Sequence, residues 1–147
     1  VIAWSPNLTA ERAKAAGAEL ASKAALLATA DVVSLHLVLS DRSRGIVGGD
    51  DLAAMKPGAL LVNTSRALLV DQTALIEAIA ARRIFAALDV YDQEPLPVNH
   101  PLRTLSNAVL TPHLGYGTIE TLRDYYSQGV ENALAFISGK PIRVLTD

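Results

Sequence analysis

Residues 59–71 read ALLVNTSRALLVD, and this stretch decides the fold. Ala59, Leu60, Leu61 and Val62 form a short, continuous apolar run. Such a run predicts a strand buried on both faces, as in a parallel sheet with helices on either side. Asn63, Thr64, Ser65 and Arg66 then supply the small polar residues of a loop at the strand's carboxyl end. Asp71 is placed to cap a helix whose apolar period runs over 73–81. An arginine at the carboxyl end of a buried strand lies where open α/β sheets bind their ligands.

The same alternation continues on either side. Toward the amino terminus, 31–37 (DVVSLHL) is a strong strand, and 50–56 a short helical turn ending before Pro57-Gly58. Before them come a strand at 1–4, a turn at Ser5-Pro6-Asn7, and a helix capped by Thr9 and ended by Gly17. A short strand at 18–21 and a helix capped by Ser22 follow. Beyond the central stretch, 84–90 (IFAALDV) is another buried strand, 91–101 a proline-rich connection, and 108–111 a last short strand. The longest helix spans 118–138, with Gly139 as its stop. Strands alternating with helices predict βαβ units and a mostly parallel α/β sheet.

Composition bounds the rest. A length of 147 residues, half of them hydrophobic, suits one domain with one sizeable core. A net charge of -2 without a basic run offers nothing to nucleic acid. No apolar run reaches the roughly 18 residues of a membrane span. The absence of cysteine excludes disulfide and thiol chemistry and is compatible with a cytoplasmic location. His36, His100 and His113 lack metal-ligand spacing, so no metal is expected. His36 reads as structural with no evident partner, and His100, between Asn99 and Pro101, as exposed.

Three strand ends carry ionisable groups: Arg66, then Asp89, Asp92 and Glu94, then His113 in LTPHLGYGT. In a parallel sheet these ends share one edge. A carboxylate beside a histidine fixes its tautomer and favours the imidazolium, giving a general acid near neutral pH. An arginine offers a permanently charged fork suited to a carboxylate. Clamp, proton donor and orienting carboxylate are the parts needed to reduce the carbonyl of a 2-keto acid, with hydride from a cofactor. Each residue also has a plainer reading: Arg66 as a surface ion-pairing residue, Glu94 as a solvated loop carboxylate, His113 as a helix-entry residue bonded to backbone. Spacing and context must decide between them.

NTSRALLVD resembles the NxxRGxxVD signature of the D-isomer-specific 2-hydroxyacid dehydrogenases. ALDVYDQEPLP resembles their aLDVfxxEPL signature and LTPHLGYGT their xTPHxGxxT signature, in family order and spacing, with DVVSLHLVLSDRSRGIVG as a weaker fourth block. The resemblance covers essentially the whole chain. It implies that Arg66 holds the substrate carboxylate, that His113 is the acid/base and that Glu94 hydrogen-bonds that histidine. On the cofactor side it implies Asp89, Gly115, Tyr116 and His113 near the nicotinamide, Thr64 lining the pocket, and Leu37 and Val38 bordering the adenine and ribose. Cofactor NAD or NADP, a small 2-keto or 2-hydroxy acid, a homodimer and a cytoplasmic location complete the implied set.

Three positions depart from the family pattern. Ser5 stands where a ribose-binding aspartate is usual, Ala67 follows the arginine in place of glycine, and Val38 replaces a proline. Ser5, with Asn7 and Arg12 nearby, predicts tolerance of or preference for NADP. The family's substrate domain, first nucleotide-binding strand and Gly-rich phosphate loop would precede Val1. The expectation is therefore that 1–147 is a partial NAD(P)-binding Rossmann-type domain, inactive in isolation, whose strands 1–4 and 31–37 lack a shared neighbour. Pairing of those two strands with each other, upstream chain, or a second molecule would fill the place. The rival readings are a non-catalytic nucleotide-sensing scaffold of the corepressor type, an oligomerisation module, or a formate- or phosphite-oxidising relative.

Overall fold

A computed structural model describes residues 1–145. The chain divides into two compact units, the first Val1–His113 and the second from Leu114 onward. The first unit holds strands β1 (Ile2–Ala3), β2 (Glu19–Leu20), β3 (Val32–Leu35), β4 (Leu60–Asn63), β5 (Phe85–Leu88) and β6 (Ala108–Leu110). Its helices are α1 (Ala10–Ala15), α2 (Lys23–Thr29), α3 (Gly49–Ala54) and α4 (Gln72–Ala80). The expected α/β alternation with parallel strands is present throughout.

Local sequence sets the helix ends. Thr9, Ser22 and Asp71 each accept a hydrogen bond from a backbone N–H three residues on, at 3.3, 3.1 and 3.0 Å. These bonds satisfy donors that a helix start leaves orphaned. Gly17 ends α1 at φ 73°, a backbone conformation that costs glycine little. On α4, Leu75 and Ile79 stand four residues apart and are fully buried, so one stripe faces the sheet. Lys23 pairs with Asp51 at 2.6 Å and ties α2 to α3.

β3, β4, β5 and β6 form one parallel sheet in that order. Leu35, Asn63, Leu88 and Leu110 lie in a row across it, the last or near-last residue of each strand. Everything that leaves the strands therefore emerges along one edge. The core lies on one face only, around Leu52, Met55, Leu61, Leu69, Leu75, Ile79 and Ile84. Val33, Leu35, Leu61, Ala86 and Leu88 point into it, while Val32, Phe85 and Val109 on the other face are exposed. Burial on both faces, which the apolar runs predict, is thus not what this unit shows: no helix of the unit covers the second face.

β1 and β2 form a separate two-stranded parallel sheet. Direct pairing of β1 along β3 does not occur. The facing edges instead border a cavity of about 770 Å³, lined by β1 and by residues 32–37 of β3 and its exit.

In the second unit, α5 (Ile119–Ile137) is capped by Thr118, which accepts from the Thr121 N–H at 3.2 Å. Gly139 ends it at φ 72°, as the sequence predicts. Tyr116 stacks beside Tyr125 with ring centroids 6.5 Å apart. No residue of α5 is buried.

Candidate active site

Arg66 owes its place to Asn63. That side chain is buried at the end of β4, where its amide N–H donates to the Arg66 carbonyl at 2.9 Å and its oxygen accepts from the Ser65 N–H at 3.1 Å. The Ser65 hydroxyl donates to the Leu37 carbonyl at 3.0 Å and joins this loop to the exit of β3. Arg66 itself is exposed, and its guanidinium donates to the Ser65 carbonyl at 2.7 Å. Ala67 is buried, and its carbonyl accepts from the Gln72 amide at 2.8 Å. The methyl that replaces the usual glycine hydrogen is accommodated there.

At the exit of β5, Asp89 is buried and accepts from the Thr111 hydroxyl at 2.5 Å. Glu94 is held twice: Oε1 accepts from the Tyr91 N–H at 2.9 Å and Oε2 lies 2.6 Å from His113 Nδ1. These contacts, the histidine first and the Tyr91 N–H second, hold the Glu94 carboxyl below its ordinary range. An ionised carboxylate only accepts, so Nδ1 carries the hydrogen and Nε2 is left as the nitrogen that can give or take a proton. His113 has φ 56°, in the left-handed region where non-glycine residues are strained and cluster at functional positions.

Arg66, Tyr91, Asp92, Glu94 and His113 line one shallow pocket of about 260 Å³. The structure thus brings together the three residues singled out as the reacting set. It offers a fixed cation for an anionic ligand and a histidine whose far nitrogen can exchange a proton.

The remaining candidates divide. Ser5 and Leu37 line the cavity between β1 and β3. Val38 is exposed, with its carbonyl accepting from the Ser43 hydroxyl at 2.7 Å. Thr64 is exposed at the end of β4. Gly115 and Tyr116 belong to the second unit. A buried carboxylate, an exposed threonine and an apolar strand end along one sheet edge suit a ligand that carries an amide and ribose hydroxyls, so this donor set fits a nicotinamide dinucleotide.

Two histidines differ from expectation. His36 has a partner, the Ser34 hydroxyl at 2.8 Å from Nε2. His100 is half-buried, and Nδ1 accepts from the Leu102 N–H at 3.3 Å, capping a 3-10 turn at Pro101–Thr104. Neither contributes to a metal site, and among the described residues no cluster of His, Asp or Glu is arranged to hold a metal. Nor is any described helix long and apolar enough to cross a membrane.

Sequence reasoning passed over Asn63, Ser65 and Tyr91 as functional positions. Asn63 carried a signal, being the first residue of the NxxR motif. Ser65 and Tyr91 also lie inside the quoted signatures, but their ties to the Leu37 and Thr111 carbonyls, distant in sequence, gave no signal.

The profile of the family described as D-isomer specific 2-hydroxyacid dehydrogenase, NAD binding domain, matches residues 1–115. The glyoxylate reductase of Aeropyrum pernix is 42% identical over 95% of this chain and 42% of its own length. The D-3-phosphoglycerate dehydrogenase of Archaeoglobus fulgidus is 36% identical over 97% of this chain and 27% of its own. A crystal structure of a putative D-3-phosphoglycerate dehydrogenase from Ralstonia solanacearum superposes with a TM-score of 0.87 at 40% identity, over 96% of this chain and 42% of that one. The chain therefore spans less than half the length of these relatives. By sequence and by fold it belongs to the NAD(P)-binding domain family of the D-isomer-specific 2-hydroxyacid dehydrogenases.

Proposed function

We propose that this chain is the cofactor-side part of an oxidoreductase that interconverts a 2-keto acid and a D-2-hydroxy acid. The observation that carries the reading is the 2.6 Å contact of Glu94 with His113 Nδ1 in a pocket that Arg66 also lines. NAD(P)H, when held on this sheet edge, would supply the hydride. Arg66 pairs its guanidinium with the substrate carboxylate and polarises the adjacent carbonyl. His113 delivers a proton from Nε2 to the carbonyl oxygen, and in the oxidative direction Nε2 takes it back. Glu94 acts through His113, accepting from Nδ1 and fixing the ring. On this reading Asp89, Gly115, Tyr116 and His113 serve the nicotinamide end, Thr64 the pocket wall, and Leu37, Val38 and Ser5 the adenosine end. A homodimer and a cytoplasmic location accompany it, testable by sedimentation and fractionation.

The pocket leaves Arg66 exposed and His113 half-exposed, whereas small-ligand sites bury most of the ligand surface. We infer that this chain by itself turns over no 2-keto acid. The test is a fusion of the chain behind the amino-terminal part of the Aeropyrum pernix relative, assayed with glyoxylate and other 2-keto acids and both reduced cofactors. His113→Ala should remove most turnover while dinucleotide affinity stays within about threefold. Arg66→Lys should lower kcat/KM about a hundredfold, because an ammonium cannot form the two-pronged contact. A fusion that binds dinucleotide but reduces no keto acid, or an active one indifferent to His113→Ala, refutes the proposal. In the first case a nucleotide-dependent scaffold becomes the better reading.

A further inference from the structure

We propose that the Tyr91 hydroxyl is a positioning group that holds Glu94 and His113 in register, deepening the dehydrogenase reading on which it rests. Tyr91 lies between Asp89 and Glu94 at the exit of β5, its side chain buried. Its hydroxyl is 3.0 Å from the Leu88 carbonyl, at the end of β5, and 2.9 Å from the Thr111 carbonyl, just past β6. One phenolic proton is thus shared between the two strands whose exits carry the two halves of the pair. The backbone N–H of the same residue donates to Glu94 Oε1, while Glu94 Oε2 meets His113 two residues beyond Thr111.

These contacts close a ring. It runs from the Tyr91 ring to the Thr111 carbonyl, along the backbone to His113, across to Glu94 and back to the Tyr91 N–H. Removing the hydroxyl opens the ring on the side where the strands meet. A second tie crosses the same gap, the Thr111 hydroxyl to Asp89, so the strands stay adjacent but lose one of two side-chain fixings. Burial pushes the Tyr91 phenol above its ordinary value, with Asp89 adding to the rise and Arg103 opposing it, so the group remains a donor at neutral pH. Arg103 holds the following loop by donating to the Leu96 and Pro97 carbonyls at 2.6 and 2.8 Å. Its guanidinium therefore does not substitute for the phenol. A hydroxyl that only satisfied its own buried tip would affect stability and nothing else. A positioning hydroxyl also affects how Glu94 ionises, because the His113 contact is the main cause that holds Glu94 low.

The test follows the Glu94 carboxyl carbon by NMR through an acid titration of this chain in three forms: wild type, Tyr91→Phe and His113→Ala. The expected result is a Glu94 midpoint in Tyr91→Phe raised from wild type toward that of His113→Ala. Installing 4-aminophenylalanine at position 91, which keeps a donor, should restore it. If phenylalanine leaves the chain unfolded, 4-fluorophenylalanine fills the same space without a proton to donate and takes its place. In the fusion enzyme the same substitution should lower kcat about fivefold with the keto-acid KM unchanged. A Glu94 midpoint identical to wild type in a folded Tyr91→Phe chain overturns the inference. Failure of the dehydrogenase reading shows differently, as absent turnover in every form with the titration shift intact.

Discussion

Asn63→Ala is the most informative single change for the arginine loop. The side chain is 1% exposed and makes two bonds, to the Ser65 N–H and the Arg66 carbonyl. Alanine leaves the Ser65 N–H without its partner, at a cost of about 1–3 kcal/mol, while the Arg66 carbonyl loses one of two bonds and keeps the Leu69 N–H at 3.2 Å. With partial relaxation of an exposed loop the loss stays near 1–3 kcal/mol, a sizeable share of a domain stability of about 5–15 kcal/mol. With a urea m-value of about 1.5–2 kcal/mol per molar, the unfolding midpoint should fall by about 0.5–2 M. The fusion enzyme should also show a raised keto-acid KM, since the substituted residue fixes the backbone from which Arg66 projects. Asn63→Asp provides the control. It keeps the acceptor for the Ser65 N–H but sets a carboxylate against a carbonyl oxygen, and should be at least as damaging. A midpoint shift below about 0.3 M for Asn63→Ala would show that water or loop movement replaces these bonds, and the account of how Arg66 is held would fail.

Two further outcomes are expected. Glu94 has a folded-state pKa below its unfolded value, so its stabilisation is full above the unfolded value and is lost as pH falls through the folded one. The melting-temperature gap between wild type and Glu94→Gln should therefore be present at neutral pH and close below about pH 4, and it should be small because the pair is partly exposed; an equal gap at pH 3 would contradict this. For cofactor choice, Ser5 presents no carboxylate at the end of β1, and the Arg12 guanidinium lies 3.5 Å from the Asn7 carbonyl in the same turn. The fusion enzyme should use NADP at least as well as NAD, and Ser5→Asp should move the ratio of kcat/KM values toward NAD by about tenfold or more; a strong NAD preference in the unaltered chain would refute the assignment.

Much of this architecture was legible because local chemistry wrote it. Thr9, Ser22 and Asp71 were each readable as caps, and each accepts the bond that a cap requires; Thr118, read as the first residue of its helix, is its cap instead. Arg66, Glu94 and His113 were readable from motif context, and they converge on one pocket. Which faces of the sheet are covered was not readable: Leu60, Leu61 and Val62 are all apolar, yet only Leu61 is buried with the core. An unbroken apolar run carries no period from which to choose a face. The separation of β1 and β2 from the larger sheet was legible only through the family resemblance, which implies a strand between 1–4 and 31–37, since composition does not record which strands are neighbours. The long-range ties of Tyr91 and Ser65 were silent because the Thr111 and Leu37 carbonyls come near them only once the strands align.

The left-handed backbone of His113 makes position 113 a place where durability and purpose compete. Glycine and asparagine adopt φ near 56° more readily than histidine does, and neither can exchange a proton as an imidazole does. His113→Gly relieves that strain but gives up the Glu94 contact and the ring that makes it. A search of variants scored on heat resistance alone would therefore find replacing this histidine attractive at the backbone, and only a screen that also demands turnover would retain it. Thermostabilisation of the domain belongs at positions such as the helix surfaces, where the backbone already agrees with the residue it carries.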